Sequence, residues 1–507
     1  MAEPRQAHGW DPASRWRGLA VVSAAMVISA VDMTIVNVAL PDISRDLNAS
    51  LGELQWVLDG FLVALAGMLA VASGVADRFG RRRVFLAGMA GFGAASVLCA
   101  LAPSPEALIA GRVLMGVTMA FVLPPALSLL TVMFEPAERT RALAIWTMAA
   151  GTALALGPVL GGALVAVVGW PGVFLVNLPV VALAVPAGRR LLPESRQPDT
   201  PPLDLPGAVL SVLALSGLVF VLVEGEHEGW TATPILVAGG LAVVAGATFV
   251  AYELRTRHPL LDVRILVRPR VAAGVVALLA LYLSFLGVMF VMPQYLQYVQ
   301  ERSALIAGIA MFPVGLGVGL GQAIRRVPAI GRLEPRSAIT GGLVVAALAC
   351  LVLMPFAADT PLALVGLGML VYGLAFGFAI VPATATVMND LSAEQAGHGS
   401  TANQLARQVG GALGVAAVGT VSVAIYAGEI RDRLTGFDTG VREAARNSIG
   451  HLEEAAAGLS PDAATRLLAA GDASFDSGAR AGLLVAAVGL ALAAAFVATA
   501  MRSRPAS

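Results

Sequence analysis

The chain has 507 residues, 57% of them hydrophobic and 13% charged, with a mean hydropathy of +0.80 and no net charge. A soluble domain carries about a quarter charged residues, so this balance excludes soluble, secreted, disordered and nucleic-acid-binding classes and leaves an all-α polytopic membrane protein. The basic residues are all arginine, and Cys99 and Cys350 each lie inside an apolar run, which argues against a disulfide framework or a metal site.

Each helical crossing of a hydrocarbon core about 30 Å thick takes roughly 20 apolar residues. Residues 1–17 read as a polar tail without a cleavable signal pattern. Fourteen apolar runs follow, at 18–40, 54–76, 84–102, 106–131, 141–163, 172–192, 205–223, 232–252, 271–293, 303–325, 337–356, 361–386, 402–427 and 481–501. An even number puts both termini on one side. Short loops on that side carry most of the loop arginines, against Arg45 and Arg302 opposite, so the positive-inside rule places both termini in the cytoplasm.

The runs read as an N-terminal six-helix bundle (18–192), two additional central helices (205–252) and a C-terminal six-helix bundle (271–501), with a short tail at 502–507. The linker before the central pair is rich in proline (Pro193, Pro198, Pro201, Pro202, Pro206) and is expected to be stiff. The stretch 429–480 is too polar to cross a membrane and is expected outside. Within it Ser460-Pro461 reads as an N-cap with proline at N1, and a second helix is expected over 441–457, giving an external helical hairpin before the last span.

Ionisable residues inside spans are rare and informative. Counting about 1.5 Å per residue places Asp32 of the first span, Asp59 of the second and Arg112 of the fourth in the same outer half. Burial disfavours a carboxylate and a nearby guanidinium favours it, so such a set is suited to binding and releasing a proton. Asn37 lies about 140° around the first helix from Asp32 and is expected to bond a neighbouring helix. Glu224, Glu226, His227 and Glu228 at the outer end of the seventh span read as a solvated turn. No group has metal-ligand spacing.

After the second span comes Gly74-Val-Ala-Asp77-Arg78-Phe-Gly80-Arg81-Arg82-Arg83, where two glycines permit a turn and Asp77 can hold an arginine or cap a helix. It reads as a latch over the cytoplasmic side. In the fifth span Gly157 and Gly161 give a small-xxx-small face, Pro158 removes a backbone bond, and Gly162 adds room for close helix approach. Met115 and Met119 share the face of Arg112, and the ninth span carries a stripe of Tyr282, Phe285, Met289 and Met292. With Trp146 and Tyr372 these are expected to line an adaptable apolar cavity that hosts cations on ring faces.

These segments resemble a known family. The run Val31-Asp32 to Pro41, the Gly74–Arg83 loop, Arg112 within Leu108–Gly116, and Gly151–Gly162 are similar to the signatures of the fourteen-span drug:proton antiporters of the major facilitator superfamily. Trp56-Val-Leu-Asp59 resembles exporters of quaternary ammonium antiseptics, in which a second-helix aspartate takes part in cation recognition. Met115 stands where that family usually has glutamine.

The resemblance implies a proton-coupled multidrug antiporter in the bacterial cytoplasmic membrane, with small hydrophobic or cationic drugs and protons as partners. It implies a monomer in the lipid bilayer, with no cofactor beyond the proton gradient. Asp32, Asp59 and Arg112 would couple protons, with Asp59 also in the substrate cavity. The alternatives are a dedicated exporter of one metabolite or antibiotic and, more remotely, a membrane sensor or a membrane enzyme.

Overall fold

The structure is a computed structural model and describes residues 12–196, 204–257, 259–392, 395–447 and 449–502. Most of the N-terminal tail, residues 503–507, and Pro198, Pro201 and Pro202 lie outside the described residues. The described residues form helices and no strands, as expected where backbone polar groups must be satisfied inside hydrocarbon.

Fourteen helical segments are long and apolar enough to cross a membrane, and each overlaps a run read from the sequence. In order the helices are α1 (Pro12–Leu47), α2 (Leu51–Phe79), α3 (Arg81–Ala100), α4 (Pro105–Ala120) and α5 (Leu123–Met133). Then come α6 (Pro136–Val168), the short α7 (Gly172–Leu175), α8 (Asn177–Leu191), α9 (Leu205–Glu228) and α10 (Thr233–Glu253). The remainder are α11 (Pro269–Tyr298), α12 (Ala304–Ile324), the short α13 (Pro328–Gly331), α14 (Pro335–Leu353), α15 (Leu362–Asn389) and α16 (Ala396–Arg433). Last are α17 (Thr439–Asn447), α18 (Leu452–Ala456) and α19 (Pro461–Ala500). We call the side bearing the start of α1 and the end of α19 the terminal face and the opposite side the far face.

Local chemistry sets the helix ends. The Ser50 amide donates to Glu53 Oε2 at 2.8 Å and the Glu53 amide donates to Ser50 Oγ at 3.2 Å, a capping box that starts α2. A single residue, Gly80 at φ +111°, turns α2 into α3, a conformation that side chains resist. The fourth span is two helices because Pro124 and Pro125 offer no N–H to the preceding turn.

The polar stretch before the last span differs from expectation. Ser460 and Pro461 do open a helix, but α19 runs unbroken through Ala500, so the second arm of the hairpin is the last span itself. Tyr426 Oη donates to the Ala445 carbonyl at 2.6 Å, and Phe475 packs on Tyr298 and Tyr426, pinning this cap to the far face.

Within the first six spans α1 packs on α6, α2 on α4, and α3 on α4 and α8. Within the last six, α11 packs on α16 and α19, α12 on α15, and α14 on α15 and α19. The inserted helices α9 and α10 pack on each other, and α9 also touches α2 and α16. The two six-span groups meet through α6–α12, α2–α16 and α1–α11.

The close contacts lie toward the far face. Gly162 abuts the Ala304 carbonyl and Gly308 the Pro158 carbonyl, so backbones touch directly. Gln297 Nε2 donates to the Val38 carbonyl at 2.9 Å, and Gln55 Nε2 to the Val415 carbonyl at 3.3 Å. Nearer the terminal face, a methyl placed on Gly151 of α6 or Gly319 of α12 would meet nothing within 4 Å. The seam is closed at the far face and parts toward the terminal face.

Candidate functional site

The centre of the first group is an ion pair. Arg112 Nη1 donates to Asp32 Oδ2 at 2.8 Å, and Nε donates to the Val57 carbonyl at 2.8 Å. Each of the two residues is 1% exposed. The guanidinium stands 4.5 Å from the Phe61 ring centroid and 6.0 Å from that of Phe174, so aromatic faces share its charge. Met115 Sδ lies 3.8 Å from Nη1 and 3.4 Å from Cys99 Sγ, a weak acceptor beside the guanidinium.

Asp32 Oδ1 keeps no hydrogen-bond partner, nor does Asn37 Oδ1. Asn37 was expected to bond a neighbouring helix. Instead its Nδ2 donates to the Met33 carbonyl one turn back at 3.1 Å, the local side-chain-to-backbone bond open to an asparagine within a helix. A small cavity lies against Asp32, Asn37, Phe61 and Arg112 on one side and Leu286 and Val415 on the other. It therefore sits on the seam between the two groups.

Asp59 is equally buried but does not join this pair. Neither of its oxygens has a hydrogen-bond partner. On a wheel of about 100° per residue it falls between Gln55, which bonds α16, and Trp56, which bonds α9. The three charges share a depth, as expected, but not a face. Glu224 was expected in a solvated turn, yet it accepts a hydrogen bond from Trp56 Nε1 at 2.8 Å. The side chains of Glu226 and His227 lie outside the described residues.

The last six spans hold an aromatic group. Tyr282 meets Phe376 edge-on at 5.5 Å, Phe285 lies 4.8 Å from Phe376, and Phe285 stacks on Tyr372 at 6.5 Å. Tyr372 Oη and Ser284 Oγ are 2.7 Å apart, which fixes the tyrosine ring. Met289 is buried on α11. Met115 and Met119 are fully buried inside the first group rather than gathered with these rings, and Trp146 on α6 has a buried indole N–H without a partner. Sequence reasoning missed Phe376, and also Arg407, whose guanidinium stands 5.6 Å from the Tyr282 ring. The signal for Arg407 was present: it lies within the run 402–427.

The expected latch loop is hardly a loop. Gly74, Asp77 and Arg78 belong to α2, and Arg81 and Arg82 open α3, leaving Gly80 alone as the turn. Asp77 Oδ1 pairs with Arg81 Nη2 at 2.7 Å. Glu194, which follows α8, stands 3.6 Å from Arg82 Nε and 3.5 Å from Arg83 Nε. Arg81 N donates to the Ser195 carbonyl at 2.9 Å. The motif is thus tied to the segment after α8, within its own group, and Glu194 is a partner the sequence did not reveal.

A family model, the Major Facilitator Superfamily, matches residues 22–415. The chain belongs to this superfamily. It is 33% identical over 97% of its length, and 97% of the relative, to the multidrug efflux pump LfrA of Mycolicibacterium smegmatis. It is 36% identical to the puromycin resistance protein pur8 of Streptomyces alboniger, over 85% of this chain and 86% of that one. Among solved structures, a bacterial homologue of the human lysosomal transporter Spinster, in an inward-facing and occupied conformation, aligns with TM-score 0.64 at 20% identity, covering 98% of this chain and 100% of that one.

In this facilitator the glycines of the fifth span serve two neighbours. Gly157 abuts Thr34 Oγ1, and a methyl on Gly161 would come within 2.8 Å of the Ile35 carbonyl, both on α1. Gly162 and the Pro158 carbonyl instead meet α12 across the seam. The helix carrying Asp32 and the helix closing the far face therefore both rest on α6.

Proposed function

We propose that the protein is a proton-coupled multidrug exporter of the bacterial cytoplasmic membrane, acting as a monomer with both termini in the cytoplasm. The observation that carries this reading is the Asp32–Arg112 pair, buried yet adjoining the seam between the two six-span groups. A carboxyl paired in one arrangement of the seam and hydrated in the other changes its hold on a proton as the seam opens and closes. With the terminal face open to the cytoplasm, a deprotonated Asp32 favours cargo. After the bundles rock to open the far face, protonation displaces it. Asp59, facing α9 and α16, is the acid for recognition of cationic cargo. The Asp77–Arg81 and Glu194 contacts serve as the latch that holds the terminal side of the first bundle in shape.

Proteoliposomes with an imposed pH gradient test this. Adding an exported compound should dissipate the gradient with the wild type and not with Asp32→Asn. An undiminished proton response in Asp32→Asn would remove Asp32 as the coupling group.

A further inference from the structure

Arg407 lies about 8 Å inside the apolar run 402–427, counted from its terminal-face end. Its Nη2 donates to Thr384 Oγ1 of α15 at 3.1 Å, and its guanidinium faces the Tyr282 ring of α11. Its Nε is buried without a partner, and no carboxylate pairs with it among the described residues. It differs in this from Arg112, whose charge is balanced by Asp32.

Its position on α16 is informative. One turn on, a methyl placed on Gly411 would meet Leu286 of α11 at 2.6 Å and Leu62 of α2 at 3.6 Å, and a further turn on, the Val415 carbonyl receives Gln55. Arg407 is therefore in the row of α16 that faces the first group, on the side where the seam parts. A guanidinium at that depth is costly unless a counter-charge or water reaches it. The half-buried Tyr282 ring beside it is backed by the buried Phe376 and Phe285 rings, so the face open to a planar aromatic ligand is that of Tyr282.

We propose that Arg407 is the anion-recognising group of a substrate subsite, where it pairs with a carboxylate or phenolate of an aromatic cargo lying against Tyr282. The guanidinium fork matches a carboxylate in shape as well as in charge. The inference rests on the export reading and narrows its cargo: anionic and zwitterionic aromatics are bound by the last six spans, while the acids of the first six serve cations. An anionic lipid headgroup offers the same chemistry, so the test excludes it by choice of lipid.

Purified protein in phosphatidylcholine nanodiscs is titrated with tetramethylrhodamine, which carries a carboxylate, and with its methyl ester, which does not, reading fluorescence anisotropy. The wild type should bind the acid about tenfold more tightly than the ester. Arg407→Gln should weaken the acid about tenfold and leave the ester within about twofold, and Arg407→Lys should restore part of the difference. Equal losses for both probes, no preference in the wild type, or no binding of either overturns the proposal. Should Arg407→Gln fail to fold, the wild-type preference and Arg407→Lys decide. No proton gradient is involved, so this outcome is independent of the Asp32→Asn coupling test.

Discussion

Trp56 Nε1 and Glu224 Oε1 are joined at 2.8 Å, fastening the second span to the first inserted helix. The rings of Trp56 and Phe220 stand 6.4 Å apart beside this bond, and Thr420 Oγ1 donates to the Leu222 carbonyl at 2.7 Å from the other group. The inserted pair is thus bonded to both halves near the far face.

Trp56→Phe keeps an aromatic ring, though a smaller one, and removes the donor. We expect it to cost about 1–3 kcal/mol, with Glu224→Ala costing a similar amount. The double variant should lose little more than either single one, because both remove the same bond. Thermal unfolding in detergent of the four proteins completes the cycle.

Arg112→Met leaves Asp32 buried with no cation. Breaking a buried pair by removing one partner costs about 3–5 kcal/mol. Arg112→Met should therefore unfold at a clearly lower temperature than the wild type, and adding Asp32→Asn should recover much of the loss. Melting temperatures of the single and double variants check this, and neither variant should couple substrate to protons.

Asp59→Asn removes a carboxyl that has no partner to lose. Stability should be unchanged or slightly higher, since no ion pair is broken. Export of a monovalent cationic dye should fall, while export of a neutral compound and the proton response to it should persist. Parallel efflux assays with the two compounds provide the comparison.

Gly308→Leu places a branched side chain against the Pro158 carbonyl, where backbones now touch. The helices α6 and α12 must separate at the far face. A cysteine introduced as Ala304→Cys, a position 8% exposed in this arrangement, should then label faster with an impermeant thiol reagent than in the Gly308 background. Cys99 and Cys350 are buried and should contribute little labelling.

The spans were legible because length and apolarity are properties of a continuous run, which needs no knowledge of neighbours. The pairing of Asp32 with Arg112 was within reach for a related reason: depth along each helix follows from counting. Facing is different. Asp59 shares the depth of that pair, but what it meets depends on α9 and α16, which the chain reaches far later in sequence. Glu224 reads as a turn acid, and Glu194 carries no signal of its own, because their partners, Trp56 and Arg82, are distant along the chain. Arg407 falls within a delimited span, but its partners Thr384 and Tyr282 belong to other helices and leave no mark on the local sequence. The break expected before the last span failed because polarity marks what leaves the membrane, not where a helix stops.

That unbroken α19 is about 60 Å long at helical rise, a single rod with one end in the cap and the other at the terminal face. A rod with no hinge cannot move at one end alone. An antibody fragment that clasps the exposed first turns would immobilise the buried remainder as well, giving inhibitors a handhold that never enters the drug pathway.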